Sequence, residues 1–284
     1  MAVVNVAGAV PIAYADLLSK SETVRISLKG LEVQFHQWGS GDNVYCLLHG
    51  GYGSWAHWIR VIPELAKSAR VLVPDMPGFG ASDSPAKPHT AESVAELLAD
   101  AIVQIVPGQK IILAGFSFGG AIAGHVALIL QNQVRHLMLI GPGGLGAPRG
   151  SMEELILRNA KMSREDIMAA HRRNLEILMV RDPDQVDALA LFIQEKNTRQ
   201  HRLKSRPISA TDTLARTLSK LSMPLIFLFG ECDATVGEYL PERLAIISQA
   251  SPTAVIEVIP DVGHWLMWEK PTLVADHLIR LAHP

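Results

Sequence analysis

The chain has 284 residues, of which 48% are hydrophobic, and its formal net charge is −2. A chain of this size can bury one large core and still carry an inserted subdomain. The near-neutral charge gives no electrostatic reason to expect a nucleic acid or an anionic membrane surface as a partner, and no apolar run reaches the roughly 18 residues that a membrane span needs.

Residues 1–22 precede the first predicted strand and form an N-terminal extension. Residues 2–15 are rather apolar, but Pro11 interrupts them and no cationic segment precedes them, so a secretory signal is the weaker interpretation. Cys46 and Cys232 fall in or beside predicted strands without a paired framework, which favours free thiols in a reducing compartment. We therefore expect a cytoplasmic protein.

Short apolar runs alternate with helical patterns along the first half of the chain. Residues 23–29 and 31–37 predict a leading antiparallel pair that turns at Gly30. The predicted buried strands that follow are residues 44–48, 71–74, 111–114 and 136–140. Thr90 is a good N-cap for a helix between two of these strands, and Pro271 opens the closing helix. This alternation predicts an α/β protein with a mainly parallel sheet that is covered on both faces.

A Gly-x-Ser-x-Gly pattern, from Gly115 through Ser117 to Gly119, ends the strand at 111–114, and a helical pattern follows at once. A serine at such a turn stands out of the sheet, and the helix behind it directs backbone N–H groups at the same spot. The two glycines avoid collisions within the tight turn. The pattern alone also fits a glycine-rich turn that contains a serine.

Three further turns carry chemistry-bearing residues just past predicted strands. The glycine-rich loop 49–54 can offer a backbone N–H to a developing oxyanion. Apolar strands at 225–229 and 255–259 end shortly before Asp233 and His264. Ligands bind at this carboxyl edge in open α/β sheets, and the chain order serine, acid, histidine belongs to one serine-hydrolase scaffold.

A helical, charged segment without predicted strands interrupts the alternation after residue 145. A Gly- and Pro-rich connector at 141–150 leads into it. We predict that residues 146–222 form a lid (a cap) over the carboxyl edge, where it excludes water and shapes the substrate pockets. Residues 23–145 and 223–284 then form the core.

The predicted lid carries a basic cluster with no acidic residue from 196 to 206. Its members are Lys196, Arg199, His201, Arg202, Lys204 and Arg206. One hypothesis is that Arg199 or Arg202 binds a substrate carboxylate. If one helix extends from 186 to 206, however, these arginines lie opposite its apolar face, which favours a solvated surface unless the helix breaks near Asn197.

From about Val24 to Leu281 the chain resembles the α/β-hydrolase family. The resemblance rests on the His49-Gly50-Gly51 loop, the Pro74-to-Ser82 segment, the serine turn, and the acid and histidine turns. It implies an α/β-hydrolase fold: a mostly parallel eight-stranded sheet flanked by helices, with the lid inserted after strand six. It also implies an acid a few residues past Gly230. That position favours Asp233 over Glu231 or Asp261.

The resemblance gives each candidate residue a role. Ser117 attacks a carbonyl carbon, His264 moves the proton and Asp233 orients the imidazole. The backbone amides of Gly51 and Phe118 receive the oxyanion. For substrate binding we single out Tyr52 and Trp265 together with Arg199 and Arg202. We expect no cofactor and no metal, since no His-Glu-x-x-His spacing occurs.

The leading functional hypothesis is hydrolysis of a small or medium carboxylic ester through an acyl-enzyme. The partner is then a small-molecule acyl substrate, and a homodimer stays open. An aspartate in place of Ser117 would be needed for a dehalogenase or an epoxide hydrolase. A perhydrolase, or a small-molecule receptor that retains the triad, keeps the same residues.

An alternative rests on a narrower resemblance. Residues 263–269 are similar to the histidine turn of the meta-cleavage-product carbon–carbon hydrolases, which act on 2-hydroxy-6-oxo-dienoates. This implies that Trp265 and a lid arginine handle the substrate, with Arg206 a further candidate. Two features depart from that group: Phe116 stands where asparagine is usual, and residues 51–53 (Gly-Tyr-Gly) replace a Gly-Pro-Gly-like insertion.

Overall fold

One eight-stranded sheet with helices on both faces organises residues 10–282, the part of the chain that the computed structural model describes. The strands are β1 (Glu22–Leu28), β2 (Leu31–Trp38), β3 (Val44–Leu48), β4 (Arg70–Pro74), β5 (Ile111–Phe116), β6 (Val134–Ile140), β7 (Leu225–Gly230) and β8 (Val255–Ile259). The helices are α1 (Ile12–Ser19), α2 (Ile62–Leu65), α3 (Ala91–Ile105), α4 (Phe118–Ile129), α5 (Arg164–Leu178), α6 (Ala188–Gln200), α7 (Arg206–Ser209), α8 (Ala215–Leu218), α9 (Leu240–Ala250), α10 (Leu266–Glu269) and α11 (Pro271–Ala282). One-turn 3₁₀ helices cover Trp55–Trp58, Pro183–Gln185 and Gly237–Tyr239.

The strands lie in the order β1-β2-β4-β3-β5-β6-β7-β8. Only β2 runs antiparallel to its neighbours, and all pairs from β4 to β8 are parallel. This confirms the mainly parallel sheet that the strand–helix alternation predicts and the eight strands that the family resemblance implies. Because β3 lies between β4 and β5, the strand order reverses there, and a crevice opens at the carboxyl ends of β3 and β5.

The core has two halves, one on each face of the sheet. In β3, Tyr45 and Leu47 join the cluster that includes α2 and α11, whereas Cys46 and Leu48 join the cluster that includes α3, α4 and α9. A strand covered on both faces must be apolar throughout, which explains its unbroken apolar sequence. Both cysteines are free, and burial raises the pKa of Cys46 to about 12.

Several local predictions are confirmed. β1 and β2 form an antiparallel hairpin, and Lys29 and Gly30 both take the positive φ that a tight hairpin turn of this kind requires. Thr90 caps α3 by accepting a hydrogen bond from the Ser93 amide. Pro271 is the first residue of α11.

The N-terminal extension contains a helix that the sequence analysis does not predict. In α1, Tyr14 and Leu17 are buried, and the Trp38 indole N–H donates to the Leu17 carbonyl at 2.8 Å. Residues 1–9 lie outside the described residues, and so does most of the segment weighed as a secretory signal. No helix in the described part of the chain has the length and apolarity to cross a membrane.

Between β6 and β7 the described chain forms α5 to α8 and no strand. The single helix considered over residues 186–206 does not form, because α6 ends at Gln200 and α7 begins at Arg206. The amides of Arg202 and Leu203 both donate to the Gly78 carbonyl. These hydrogen bonds replace the ones that a continued helix would make. The argument from opposite helix faces therefore holds only for Arg199.

Candidate active site

Ser117 lies at the sharp turn between β5 and α4. Its φ of 54° is positive, a strained conformation for a residue with a side chain. A Cβ on Gly115 would lie 2.4 Å from the Gly119 carbonyl oxygen, and one on Gly119 would lie 2.3 Å from the His49 carbonyl oxygen. Both glycines are therefore required for the turn to close. Ser117 is partly exposed, whereas its neighbours in the chain are buried.

His264 and Asp233 form a buried pair. Their side chains are 4% and 0% exposed, and the His264 Nδ1 lies 2.6 Å from the Asp233 Oδ2. The Thr235 amide donates to the other carboxylate oxygen at 2.8 Å. Burial raises the pKa of Asp233, but the charge of His264 and the hydrogen bonds from His264 and Thr235 outweigh it and hold the pKa below its ordinary value. The ionised carboxylate accepts the Nδ1 hydrogen, which leaves Nε2 as a proton acceptor.

The turn after β6 connects this pair with the serine. A Cβ on Gly141 would lie 3.1 Å from both the Asp233 Oδ2 and the His264 Nδ1. Two residues later, the Gly143 amide donates to the Ser117 carbonyl at 3.0 Å. The Phe116 ring centroid lies 4.8 Å from that of His264. The structure thus gathers the predicted serine, histidine and aspartate at one edge of the sheet.

The alternative acids lie elsewhere on these turns. Glu231 and Asp261 are exposed, and the Glu231 carboxylate accepts from the Asp261 amide. With Cys232 they place potential ligand atoms within 4.8 Å of one another. Exposed acidic groups of this kind are common without an ion, and the cluster gives no reason to expect a metal.

The loop after β3 is held by the neutral side chain of His49. The His49 Nε2 accepts from the Met76 amide at 3.0 Å, and the His49 Nδ1 donates to the Gly50 carbonyl. Burial lowers the pKa of His49 to about 4, so the ring stays neutral. A Cβ on Gly51 would lie 3.7 Å from the Phe118 Cβ, so the two residues whose amides are the predicted oxyanion donors are neighbours in space.

Glu269 is a site residue that the sequence analysis misses. Its buried carboxylate accepts from the Gly263 amide at 2.7 Å and from the amides of Arg181 and Asp182, so it joins the histidine turn to the segment after α5. Burial raises its pKa. No motif marks this residue in the sequence, because its three partners are backbone amides. Two of them are far away along the chain, and the third lies in an irregular turn.

The predicted aromatic substrate-binding residues differ in exposure. Trp265 is buried, and its indole N–H donates to the His57 carbonyl at 3.0 Å. This anchoring favours packing over a direct substrate contact. Tyr52 is exposed, and its ring lies 4.3 Å from that of His201.

The two predicted arginines are engaged within the protein. Arg199 is exposed, and its guanidinium pairs at 2.7 Å with the carboxylate of Glu195, which is largely buried. The Arg202 guanidinium donates to the carbonyls of Phe79, Gly80 and Ser82 and fixes the loop they form. These contacts favour structural roles for both side chains.

Comparisons with known proteins extend this picture. The model of the alpha/beta hydrolase fold family matches residues 44–271. The chain is 29% identical over 276 residues to a 2-hydroxy-6-oxo-6-phenylhexa-2,4-dienoate hydrolase of Burkholderia cepacia, with 89% of this chain and 93% of that enzyme covered. It is 38% identical over 122 residues to a 2-hydroxymuconate semialdehyde hydrolase of Pseudomonas sp. (strain CF600), but that match spans only 43% of the enzyme and 42% of this chain.

Solved structures share the fold. A putative aryl esterase from Burkholderia cenocepacia superposes with a TM-score of 0.76 at 22% identity, over 93% of this chain and all of that chain. A meta-cleavage product hydrolase from Pseudomonas fluorescens IP01 gives a TM-score of 0.70 at 22% identity, over 91% and 96% of the two chains.

Proposed function

Since this chain belongs to the α/β-hydrolase fold family and is an enzyme, we propose that it hydrolyses a small or medium carboxylic ester through an acyl-enzyme on Ser117. The observation that carries the proposal is the buried 2.6 Å contact between His264 and Asp233, next to the turn that holds the Ser117 carbonyl. An ionised, buried carboxylate on Nδ1 is what a histidine needs to act as a general base through Nε2.

The proposed chemistry has two halves. The Ser117 Oγ attacks the ester carbonyl carbon while the His264 Nε2 takes the hydroxyl proton, and Asp233 stabilises the imidazolium. The amides of Gly51 and Phe118 bind the oxyanion. Collapse of this intermediate expels the alcohol, which receives the proton from His264. Water then repeats the sequence on the acyl-enzyme and releases the carboxylic acid.

We further propose that residues 146–222 act as the lid. Two contacts support this assignment. A Cβ on Gly78 would lie 2.6 Å from the Leu203 Cβ, and one on Gly51 would lie 2.3 Å from the Ser205 Oγ. The segment between β6 and β7 therefore covers the loops that follow β3 and β4.

Carbon–carbon bond hydrolysis of a 2-hydroxy-6-oxo-dienoate is the second candidate, and the names of the sequence relatives support it. The same serine and histidine would serve both reactions. The Phe116 ring against His264 supports the ester, because it makes this wall of the site apolar. Arg199 and Arg202 are already engaged, so in this candidate Arg206 would meet the dienoate carboxylate.

A substrate panel tests the proposal. The wild-type enzyme and Ser117→Ala are assayed by absorbance with p-nitrophenyl acetate, p-nitrophenyl butyrate and a coloured 2-hydroxy-6-oxo-dienoate. We expect multiple turnovers of the esters and no turnover by the variant. Turnover of the dienoate alone would favour the second candidate, and a single turnover with ligand-dependent thermal stabilisation would favour a receptor. Full activity of Ser117→Ala would refute the assignment of Ser117 as the nucleophile.

A further inference from the structure

Ser205 brings a side-chain hydroxyl to the loop that follows β3. It precedes α7 and is only 5% exposed. A Cβ placed on Gly51 would lie 2.3 Å from the Ser205 Oγ and 3.0 Å from its Cβ. The φ of Gly51 is not in the left-handed region, so the close approach of Ser205, rather than backbone strain, explains the glycine at this position.

The hydroxyl has no structural task in the described part of the chain. Ser205 does not cap α7 with its side chain, and across residues 10–282 its Oγ makes no hydrogen bond to another protein group. Although the residue as a whole is 5% exposed, its Oγ is not one of the enclosed polar atoms that lack a partner. The hydroxyl therefore faces accessible space, where it can donate a hydrogen bond to an acceptor on the substrate.

Backbone hydrogen bonds fix Ser205 relative to the nucleophile. The Ser117 carbonyl accepts from the Gly143 amide at 3.0 Å, and the next amide, that of Gly144, donates to the Ser209 carbonyl at 2.8 Å. The Ser209 amide in turn donates to the Ser205 carbonyl at 2.9 Å. The backbone of Ser205 is therefore held in place before a substrate binds, which gives its hydroxyl a fixed base for stabilising a transition state.

We propose that the Ser205 hydroxyl is a third hydrogen-bond donor to the oxyanion, beside the amides of Gly51 and Phe118. The inference rests on the proposed function, since it needs an oxyanion to form at Ser117. It assigns the lid a part in the chemistry: the segment that covers the site also completes the donor set. The hydroxyl keeps its proton throughout and only donates a hydrogen bond.

Ser205→Ala tests the proposal, with Ser209→Ala, at the end of the adjoining helix α7, as the matched control. The atoms of Ser209 nearest to Gly143 are its Cβ, Cα and carbonyl oxygen, all of which alanine retains. We expect Ser205→Ala to lower kcat on p-nitrophenyl butyrate by about 10²-fold, the usual effect of removing one oxyanion donor, with little change in KM. The control should match the wild-type enzyme.

A second readout separates a donor from a packing residue. Phenylboronic acid forms a tetrahedral adduct with a nucleophilic serine, so its inhibition constant should rise in Ser205→Ala by a factor similar to the loss in kcat. Ser205→Cys keeps the side-chain size but is a weaker donor. It should show the same pattern even if the alanine variant proves unstable in thermal unfolding.

The outcomes are distinct. If Ser117→Ala is inactive while Ser205→Ala and Ser205→Cys keep the wild-type kcat, the inference about Ser205 is wrong and the proposed function stands. A loss confined to KM, or equal losses in Ser205→Ala and Ser209→Ala, also overturns the inference. If Ser117→Ala is fully active, the proposed function fails, and the donor role fails with it.

Discussion

Replacing Asp233 with asparagine should lower kcat by about 10³- to 10⁴-fold with little change in KM. The Thr235 amide donates to the Asp233 Oδ1 at 2.8 Å, so an asparagine must keep its carbonyl oxygen there. Its NH₂ group then faces the His264 Nδ1, 2.6 Å from the present carboxylate oxygen. An NH₂ group donates, so Nδ1 must give up its hydrogen.

Because the Thr235 amide fixes the orientation of the asparagine side chain, the substitution reverses the tautomer of His264. Nε2 would carry the hydrogen and could no longer accept the Ser117 proton. The imidazolium formed during the reaction would also lose its buried counter-charge. A 10³- to 10⁴-fold loss corresponds to about 4–5.5 kcal/mol of barrier, which is reasonable for removing a charge from a fully buried pair rather than from an exposed one.

Steady-state hydrolysis of p-nitrophenyl butyrate measures the effect, and Asp261→Asn and Glu231→Gln are the matched controls. Both control residues are exposed carboxylates on the neighbouring turns, and both should retain the wild-type kcat. The reasoning is refuted if Asp233→Asn retains more than about a tenth of the wild-type kcat, or if either control loses as much.

Three further predictions concern stability. Acidification should lower the free energy of unfolding, because the unfolded chain protonates His49 near pH 6.5 while the folded chain does so only near pH 4. At 1.36 kcal/mol per pH unit, His49 alone lowers the free energy of unfolding by about 3 kcal/mol over this range. Urea titrations at pH 7, 5.5 and 4 measure the effect, and a constant free energy of unfolding would contradict the prediction. Glu269→Gln should lower the free energy of unfolding by about 1–3 kcal/mol. The carboxylate accepts from three backbone N–H groups, and the NH₂ group of a glutamine would face one of them as a second donor. An unchanged urea unfolding curve would contradict this prediction. Gly119→Ala should destabilise the fold by about 1–3 kcal/mol or more, as its Cβ would meet the His49 carbonyl oxygen at 2.3 Å; an unchanged thermal midpoint would show that the turn can relax.

The sheet and the edge that carries the candidate site could be predicted because their signals are local. An unbroken apolar run marks each central strand, and the carboxyl ends of parallel strands meet at one edge. Residues just past those ends, such as Ser117 and His264, are therefore brought together by topology alone. The glycines at 115 and 119 mark the turn because no other residue fits there.

The remaining features depend on contacts between distant parts of the chain. Helix α6 ends at Gln200, and the amides of Arg202 and Leu203 donate to the Gly78 carbonyl instead of continuing the helix. No residue from 198 to 202 predicts this contact with a distant loop. Helix α1 is held by the packing of Tyr14 and Leu17 on the sheet. Ser205 reaches Gly51 from an irregular connection whose course no periodicity describes. The domain boundaries, a homodimer and the cytoplasmic location stay predictions.

The most direct test of the triad is to identify the residue that carries the covalent intermediate. The enzyme is reacted with a fluorophosphonate, and the labelled peptide is mapped by mass spectrometry. We predict a single adduct on Ser117, absent from Ser117→Ala and strongly slowed in His264→Ala. An adduct on another residue of active enzyme, or labelling that does not depend on His264, would contradict the account.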